Sequence, residues 1–580
     1  MTIPGYGRLA PLQLAMLRLA GYRVSLSWQD NSRPLTDTER LAEMAAGLRE
    51  LRNAVPALAT CGVSLAAWHR RLQKEHGASY RHTYGWATTR DKVEAAYADP
   101  HYQSLAAELA ARFGVATSEE MTMNDADLVD HPLYADIAAD PAADEPRLVL
   151  ADALMQAGEP RGELITLQCE LAQILGEQPA LSGAWTRSRL HPLIPEKTET
   201  RARQITRRQN QLLKEHLEWT PVLEGDGEIA LWRGFLASLT LRGLDSWSVE
   251  RLEALLHQAP LISQLNLLAS WGVGCNAGME GQLLELCSRY IGSSLESLLI
   301  QGADDAAIAE VLAKVRFPAL RWISFGAQRV PSAIIAALLE NPSLSRLEAL
   351  YAEAGLESAE DVARLLEAPN FTITDLVTPR TSLRRGAAEV LAGCPKLSAL
   401  RILDVTRTGL GAAGLEALLT SKHAPQGLER LAAAWLQLKG DELSVLADAT
   451  SLSKLEVLDL ESNRFGPAGM DVLGASTKLT ALRSLTLRNC RILDEGLEAL
   501  LASPLFPRLQ ELNLRSNGLT VEGMLSLSRV SEENALLKLN VNNNKLGVAD
   551  MTPVWEAPQL AACRIFVEAK KPKGKAKGKE

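Results

Sequence analysis

The sequence predicts an α/β solenoid, with short parallel strands on a concave face and helices on a convex face, preceded by an all-α N-terminal region. Three observations predict it. The first is an apolar pattern that returns four times in register. Leu455, Leu458 and Leu460 come with Asn463 and Phe465, and Leu482, Leu485 and Leu487 with Cys490 and Ile492. Leu509, Leu512 and Leu514 follow with Asn517 and Leu519, then Leu536, Leu539 and Val541 with Asn544 and Leu546. The second is the spacing of the starts, 27 residues each time. The third is the helical periodicity after each pattern, as in Gly469 to Leu473 and Glu495 to Leu501. One such unit cannot bury its own apolar face, so neighbours must stack.

Within each pattern the fourth and sixth positions alternate as in a strand and point into a shared core. The full pattern, L-x-x-L-x-L-x-x-N/C-x-L, resembles the leucine-rich-repeat family, and its period lies in that family's range. The resemblance implies a horseshoe, and it implies that Asn463, Cys490, Asn517 and Asn544 bond backbone groups of neighbouring turns. Period and convex helices most resemble ribonuclease-inhibitor-like repeats.

Taken in order, residues 1–120 read as a helical domain of no recognised family. Thr36 to Glu39 forms a capping box ahead of Leu41, Met44 and Leu48, and further helices are expected near 9–20, 64–75, 90–98 and 103–113. Trp68, His69, Arg70, Arg71, Lys74, His76, Tyr80, Arg81, His82, Tyr84 and Trp86 interleave bases with aromatics. That cluster reads as a solvated basic face and an aromatic turn, with a polyanion site as the alternative. It lacks carboxylates or cysteines at metal-ligand spacing.

Residues 118–130 are an acidic linker. Residues 129–175 contain Asp144-Glu145-Pro146-Arg147-Leu148 through Ala151-Asp152-Ala153-Leu154, then Gly158-Glu159-Pro160-Arg161-Gly162-Glu163-Leu164-Ile165 to Gln168. This signature resembles a small bacterial repeat-companion domain found ahead of leucine-rich repeats. It reads as two short helices around a tight turn. Arg147, Asp152, Arg161 and Glu163 are expected to pair with one another, the alternative being a polar site of Asp152, Arg161 and Glu163. Residues 176–228 read as a helical linker or cap. The Trp232-Arg233-Gly234-Phe235 segment opens the repeat domain, residues 229–566, and also resembles proteins with the companion module.

Between 236 and 455 the repeats are degenerate. Expected patterns start at Leu236, Ile262, Leu295, Leu320, Leu344, Ile373, Leu400 and Leu428, and Leu560 opens the closing turn. Gly272, Gly274 and Gly278 imitate a dinucleotide fingerprint, but the spacing is one residue too long and reads as an enlarged loop. Residues 567–580 form a disordered Lys-rich tail.

The chain of 580 residues has a formal net charge of -9, and the tail from Lys570 carries six Lys and one Glu, leaving -14 on the rest. An acidic body of this kind disfavours a dedicated nucleic-acid binder. Seven scattered cysteines without C-x-x-C pairs suggest free thiols and a cytoplasmic protein. Arg8, Arg18 and Arg23 interrupt the apolar start, so neither a signal peptide nor a membrane span is expected. Catalytic, cofactor-binding and metal-binding motifs are all lacking, so the reading is a non-enzymatic protein without a cofactor.

What remains is the concave surface, where residues between the apolar strand positions face outward. Arg430, Trp435, Asp459, Glu461, Arg488, Glu511, Arg515, Asn540 and Asn542 are the expected contacts for another protein, a partner that bacteria often co-encode. The expected function is protein–protein interaction, as a scaffold or recognition protein. Two alternatives stay open: a GAP-like regulator of a small GTPase, by analogy of fold, or a polyanion or nucleic-acid accessory using the basic–aromatic cluster and the Lys tail. The oligomeric state is left open.

Overall fold

The structure is a computed structural model that describes residues 131–175, 196–216 and 227–567 apart from short internal gaps, with residue 219 and scattered positions before 131. The readings on residues 1–120, apart from isolated positions such as the helical and buried Met44, lie outside the described residues, as do the loop at 272–278 and the Lys-rich tail. The chain divides into two compact units, Met1–Glu170 with Ile205–Ile291, and Leu171–Gln204 with Gly292–Glu580.

The first unit contains helices α1 (Tyr134–Ala139) and α2 (Glu145–Gln156), and most of α3 (Arg161–Leu175). Pro146 in the first turn of α2 needs no N–H partner, and Glu145 complements the helix dipole there. Gly158 ends α2 at a φ of 81, donating to the Met155 carbonyl while Glu159 N–H reaches the Leu154 carbonyl. That is the paired bonding of a Schellman cap. Gly162 then lets α3 cross α2 closely, because a Cβ there would lie 2.4 Å from the Ala151 carbonyl oxygen.

Strands β1 (Gly227–Trp232) and β2 (Phe235–Arg242) form an antiparallel hairpin. Strand β3 (Gln264–Leu268) runs parallel to β2, with Leu239 opposite Leu265 and Leu241 opposite Leu267. Ile137, Leu150, Ala151, Ile165, Cys169, Phe235 and Leu261 make one buried cluster in this unit.

The second unit continues with β4 (Ser297–Gln301), β5 (Trp322–Ser324), β6 (Ala349–Tyr351), β7 (Asp375–Val377), β8 (Ile402–Asp404) and β9 (Arg430–Ala432). Then come β10 (Val457–Asp459), β11 (Ser484–Thr486), β12 (Glu511–Asn513), β13 (Lys538–Asn540) and β14 (Arg564–Phe566). Each pairs in parallel with the next, so Leu458, Leu485, Leu512 and Leu539 lie in one row. Helices such as Gly411–Thr420, Gly466–Gly474 and Leu493–Ala502 return the chain between strands. This parallel ladder with alternating helices is the solenoid that the 27-residue period predicts, and its leucines at the fourth and sixth positions are buried.

Two registers differ from expectation. The strand after Leu320 does not start its pattern at Leu344 but at Leu347, with Leu350 as the central core residue. Leu344 ends a 3-10 turn, Pro342–Leu344, and is itself buried. Leucines at 344, 347 and 350 satisfy both frames, and only the pairing of Leu350 with Ile323 separates them. Likewise Leu560 lies in a 3-10 turn, and the closing strand centres on Ile565 opposite Leu539. The apolar residue just before each strand plugs the core from the turn, so it imitates a pattern start.

Candidate interaction surface

The loops that leave the strands are held by the ninth residue of each repeat. Asn463 donates to the carbonyls of Ala433 and Leu460 at 2.9 and 3.0 Å, and its oxygen accepts Leu436 N–H at 2.9 Å. Asn517 donates to Leu487 O at 2.8 Å and accepts Cys490 N–H at 2.9 Å. Asn544 donates to Leu514 O and Val541 O and accepts Asn517 N–H at 2.8 Å. An amide has both donors and acceptors, so one side chain satisfies buried backbone groups of two turns. Cys490 keeps only the donor half, its thiol 3.1 Å from Leu460 O, and burial raises its pKa to about 12. It is a structural thiol, and Cys169, Cys287 and Cys394 are also free and buried. In the degenerate repeats the position changes chemistry: Thr381 accepts Leu356 N–H at 2.8 Å, Thr408 bonds its own turn at Val405 O, and Leu436 contributes no side-chain bond.

The first and third residues of each strand face away from this core. Trp322, Ala349, Tyr351, Val377, Ile402, Ala432 and Val457 are such residues and form one buried apolar cluster. From Ser484 to Asn540 the same positions are polar and half-buried, at Ser484, Thr486, Glu511, Asn513, Lys538 and Asn540, and the last strand ends on the exposed Phe566. Ser324, Asp375, Asp404, Arg430 and Asp459 share the earlier face with that cluster, so what changes midway along the second unit is that the face becomes half-buried and loses its apolar residues. Sequence reasoning confined to the repeats from 428 missed the apolar cluster. The same alternation, applied to β5 through β8, would have found it, and Tyr351 was hidden by the misplaced frame at Leu344.

The expected contact residues fall into distinct environments. Asp459 is 1 % exposed, and its oxygen accepts Glu461 N–H at 2.8 Å, while Asn540 accepts Asn542 N–H at 3.1 Å. Asp404 and Asn513 repeat this bond, so the Asx side chain at the third strand position ends the strand. Glu461 is buried 3.6 Å from Arg488, and Glu511 lies 2.6 Å from Lys538 on the next strand. Arg430 is half-buried, and burial lowers its pKa. Burial conversely raises that of Asp375, which accepts the Tyr351 hydroxyl at 3.3 Å. Trp435 is 39 % exposed, with the Arg407 guanidinium 4.3 Å above its ring. Arg515 and Asn542 are half-buried on the outward side.

The first unit gathers its polar residues around the hairpin turn. Gly234, at φ 86, donates its N–H to Gln168 Oε1 at 2.8 Å, and its carbonyl accepts from Arg161 Nε at 2.9 Å. Gln168 Nε2 also reaches Leu231 O at 3.2 Å. A Cβ on Gly234 would lie 2.1 Å from Ile165 Cγ1. The Arg147 guanidinium sits 5.6 Å from the Phe235 ring centre, and Arg233 lies 3.3 Å from Asp144. The mutual pairing expected of Arg147, Asp152, Arg161 and Glu163 is corrected here. Glu163 pairs with Arg208 through two bonds at 2.6 and 2.7 Å, and Asp152 is exposed. Arg147 and Arg161 serve a turn more than 70 residues downstream, which no local charge pattern reveals.

Among the described residues no cluster of His, Cys, Asp and Glu could hold a metal ion, and no helix is long and apolar enough to cross a membrane. The chain carries leucine-rich repeats: residues 397–419, 451–474, 478–501 and 508–528 match the family model described as leucine-rich repeat. Among solved structures it is similar to a complex of Rad7 and Elc1 from yeast, at 15% identity over 78% of this chain and 98% of that one, with a TM-score of 0.40. It is also similar to the leucine-rich-repeat-containing protein LegL7 from Legionella pneumophila, at 18% identity over 48% of this chain and 82% of that one, with a TM-score of 0.31. No curated protein matches it. Repeats of this kind are in general scaffolds for protein interaction.

Proposed function

We propose that this is a non-enzymatic scaffold or recognition protein whose repeats bind another protein across the outward strand face. The observation that carries the reading is the change at Ser484, where the outward strand residues turn from mostly buried, with an apolar cluster among them, to half-buried and polar, together with the exposed Trp435 two repeats earlier. A partly hydrated face with an aromatic and arginines at its edge suits a protein partner. Arg430, Trp435, Glu461, Arg488, Glu511, Arg515 and Asn542 are the proposed contacts, with Asp459 and Asn540 shaping the strand ends between them. The reading includes a bacterial, cytoplasmic protein, ribonuclease-inhibitor-like repeats and a companion module in residues 129–175.

The test is affinity capture with the full chain from its own cells, beside the double variant Arg488→Ala and Arg515→Ala. Recovery of a defined protein by the parent and its loss in the variant, at unchanged melting temperature, supports the reading. Recovery of the same proteins by both chains would sink it.

A further inference from the structure

The loops after the strands of the second unit carry arginines that their backbone does not favour. The eighth residue of successive repeats is left-handed at Arg380 (φ 65), Arg407 (φ 58), Trp435 (φ 57), Ser462, Asn489, Ser516 and Asn543. The tenth is left-handed at Gln437, Arg464 (φ 55) and Arg491 (φ 59), with glycine at 409 and 518. Glycine and asparagine tolerate such positions best, because the strain arises between the Cβ and the following carbonyl and a short amide offsets it by bonding locally, whereas an arginine side chain brings the turn no such compensation. Strained residues that the fold does not need mark functional surfaces.

The backbone ladder sets these loops side by side. Arg380 N–H donates to Thr406 O at 2.7 Å, Arg407 N–H to Ala434 O at 3.0 Å and Trp435 N–H to Glu461 O at 2.9 Å. Adjacent strands lie about 4.8 Å apart, so Arg380, Arg407 and Trp435 form one row. Arg407 stacks on Trp435 at 4.3 Å, while Arg464 and Arg491 occupy the tenth position of the next two repeats, two residues beyond the position that forms the row. Arg380, Arg407, Arg464 and Arg491 are exposed, and none forms an ion pair among the described residues. Glu461, whose carbonyl accepts Trp435 N–H, has its carboxylate buried 3.6 Å from Arg488.

We propose that this arginine ridge receives a short acidic segment of a protein partner. The inference rests on the protein-binding reading above and adds the chemistry of the partner. A guanidinium presents a planar fork that fits a carboxylate with two hydrogen bonds, and the exposed edge of Trp435 offers apolar cover to the segment between them. The ridge stands in a body of formal charge -14. A long polyphosphate would run beyond the arginines into that body, where repulsion acts over about 8–10 Å. A segment with a few carboxylates stays within the ridge.

The experiment uses the full chain with Lys570, Lys571, Lys573, Lys575, Lys577 and Lys579 changed to Gln, which removes the tail as a competing cation. The probes are a fluorescein-labelled oligoglutamate peptide and an oligo-dT strand of equal charge, read by anisotropy. The peptide binds, and salt weakens it. The variant Arg380→Asn, Arg407→Asn, Arg464→Gly and Arg491→Gly, which installs the residue types of neighbouring repeats, binds it about tenfold more weakly or less, at an equal or higher melting temperature. Equal peptide affinity in the variant overturns the proposal. So does a lower melting temperature, which would assign the arginines to the fold, or tighter variant-sensitive binding of oligo-dT. Peptide binding without cellular capture supports the ridge and counts against the broader reading alone. Capture without peptide binding does the reverse.

Discussion

The hairpin turn of the first unit and the repeat turns of the second solve one problem in two ways. Both must satisfy buried backbone groups where a strand ends. In the repeats the asparagine sits in the turn it serves and also reaches the previous turn, as Asn517 does with Leu487 O and Cys490 N–H. In the hairpin the partners, Arg161 and Gln168, come from a helix 73 and 66 residues away in sequence from Gly234. The first solution is periodic and can be copied with the repeat. The second is made once, and depends on one helix docking correctly.

The largest expected break is Gly234→Ala. The methyl would require a left-handed alanine and would overlap Ile165, so we expect a loss of about 4 kcal/mol in the first unit. Denaturant unfolding followed by the fluorescence of Trp232 and Trp247 reads it, and an unchanged midpoint would remove the clamp. Next is Gln168→Leu, which leaves Gly234 N–H and Leu231 O buried without their partner, at about 3 kcal/mol. Changing the same side chain to Glu should recover part of this, through the acceptor alone.

Asn517→Ala sharpens the other side of the comparison. It removes the donor to Leu487 O and the acceptor for Cys490 N–H, and should cost about 2–3 kcal/mol. Hydrogen exchange should report the loss in the strands around 487–519, because repeats couple mainly to their neighbours. Thr381→Val, which removes one bond to Leu356 N–H, should cost about 1 kcal/mol. Equal costs at the two positions would mean that the asparagine ladder has no advantage over threonine.

The smallest effect is a gain. Leu493 is left-handed and 42 % exposed, where the corresponding residues of other repeats are Gly411 and Gly466. Leu493→Gly should raise stability by about 0.5–1 kcal/mol, the relief of strain exceeding the added freedom of the unfolded chain. A fall in the melting temperature would show that the exposed leucine packs better than its exposure suggests.

The sequence was most legible where one residue does one job at a fixed interval. Leu485, Leu487 and Asn517 were read correctly as core and turn because stacking forces the same environment on each repeat. It was less legible at Leu344 and Leu560, where an apolar plug in the preceding turn offered a second frame of equal quality. The outward face was read only in part. Alternation places Asp459 and Asn540 outward, but it does not say that their oxygens are taken by the backbone N–H two residues on.

By itself the sequence determined the solenoid, its period and the identity of its core, because these follow from apolar spacing that every repeat states independently. The tertiary structure decided which residues hold the first hairpin, where the strand face turns from mostly buried to half-buried, and that Arg407 stacks on Trp435 in the neighbouring loop. Those outcomes depend on side chains brought together from distant parts of the chain or from adjacent turns, and local periodicity encodes neither their distances nor their burial.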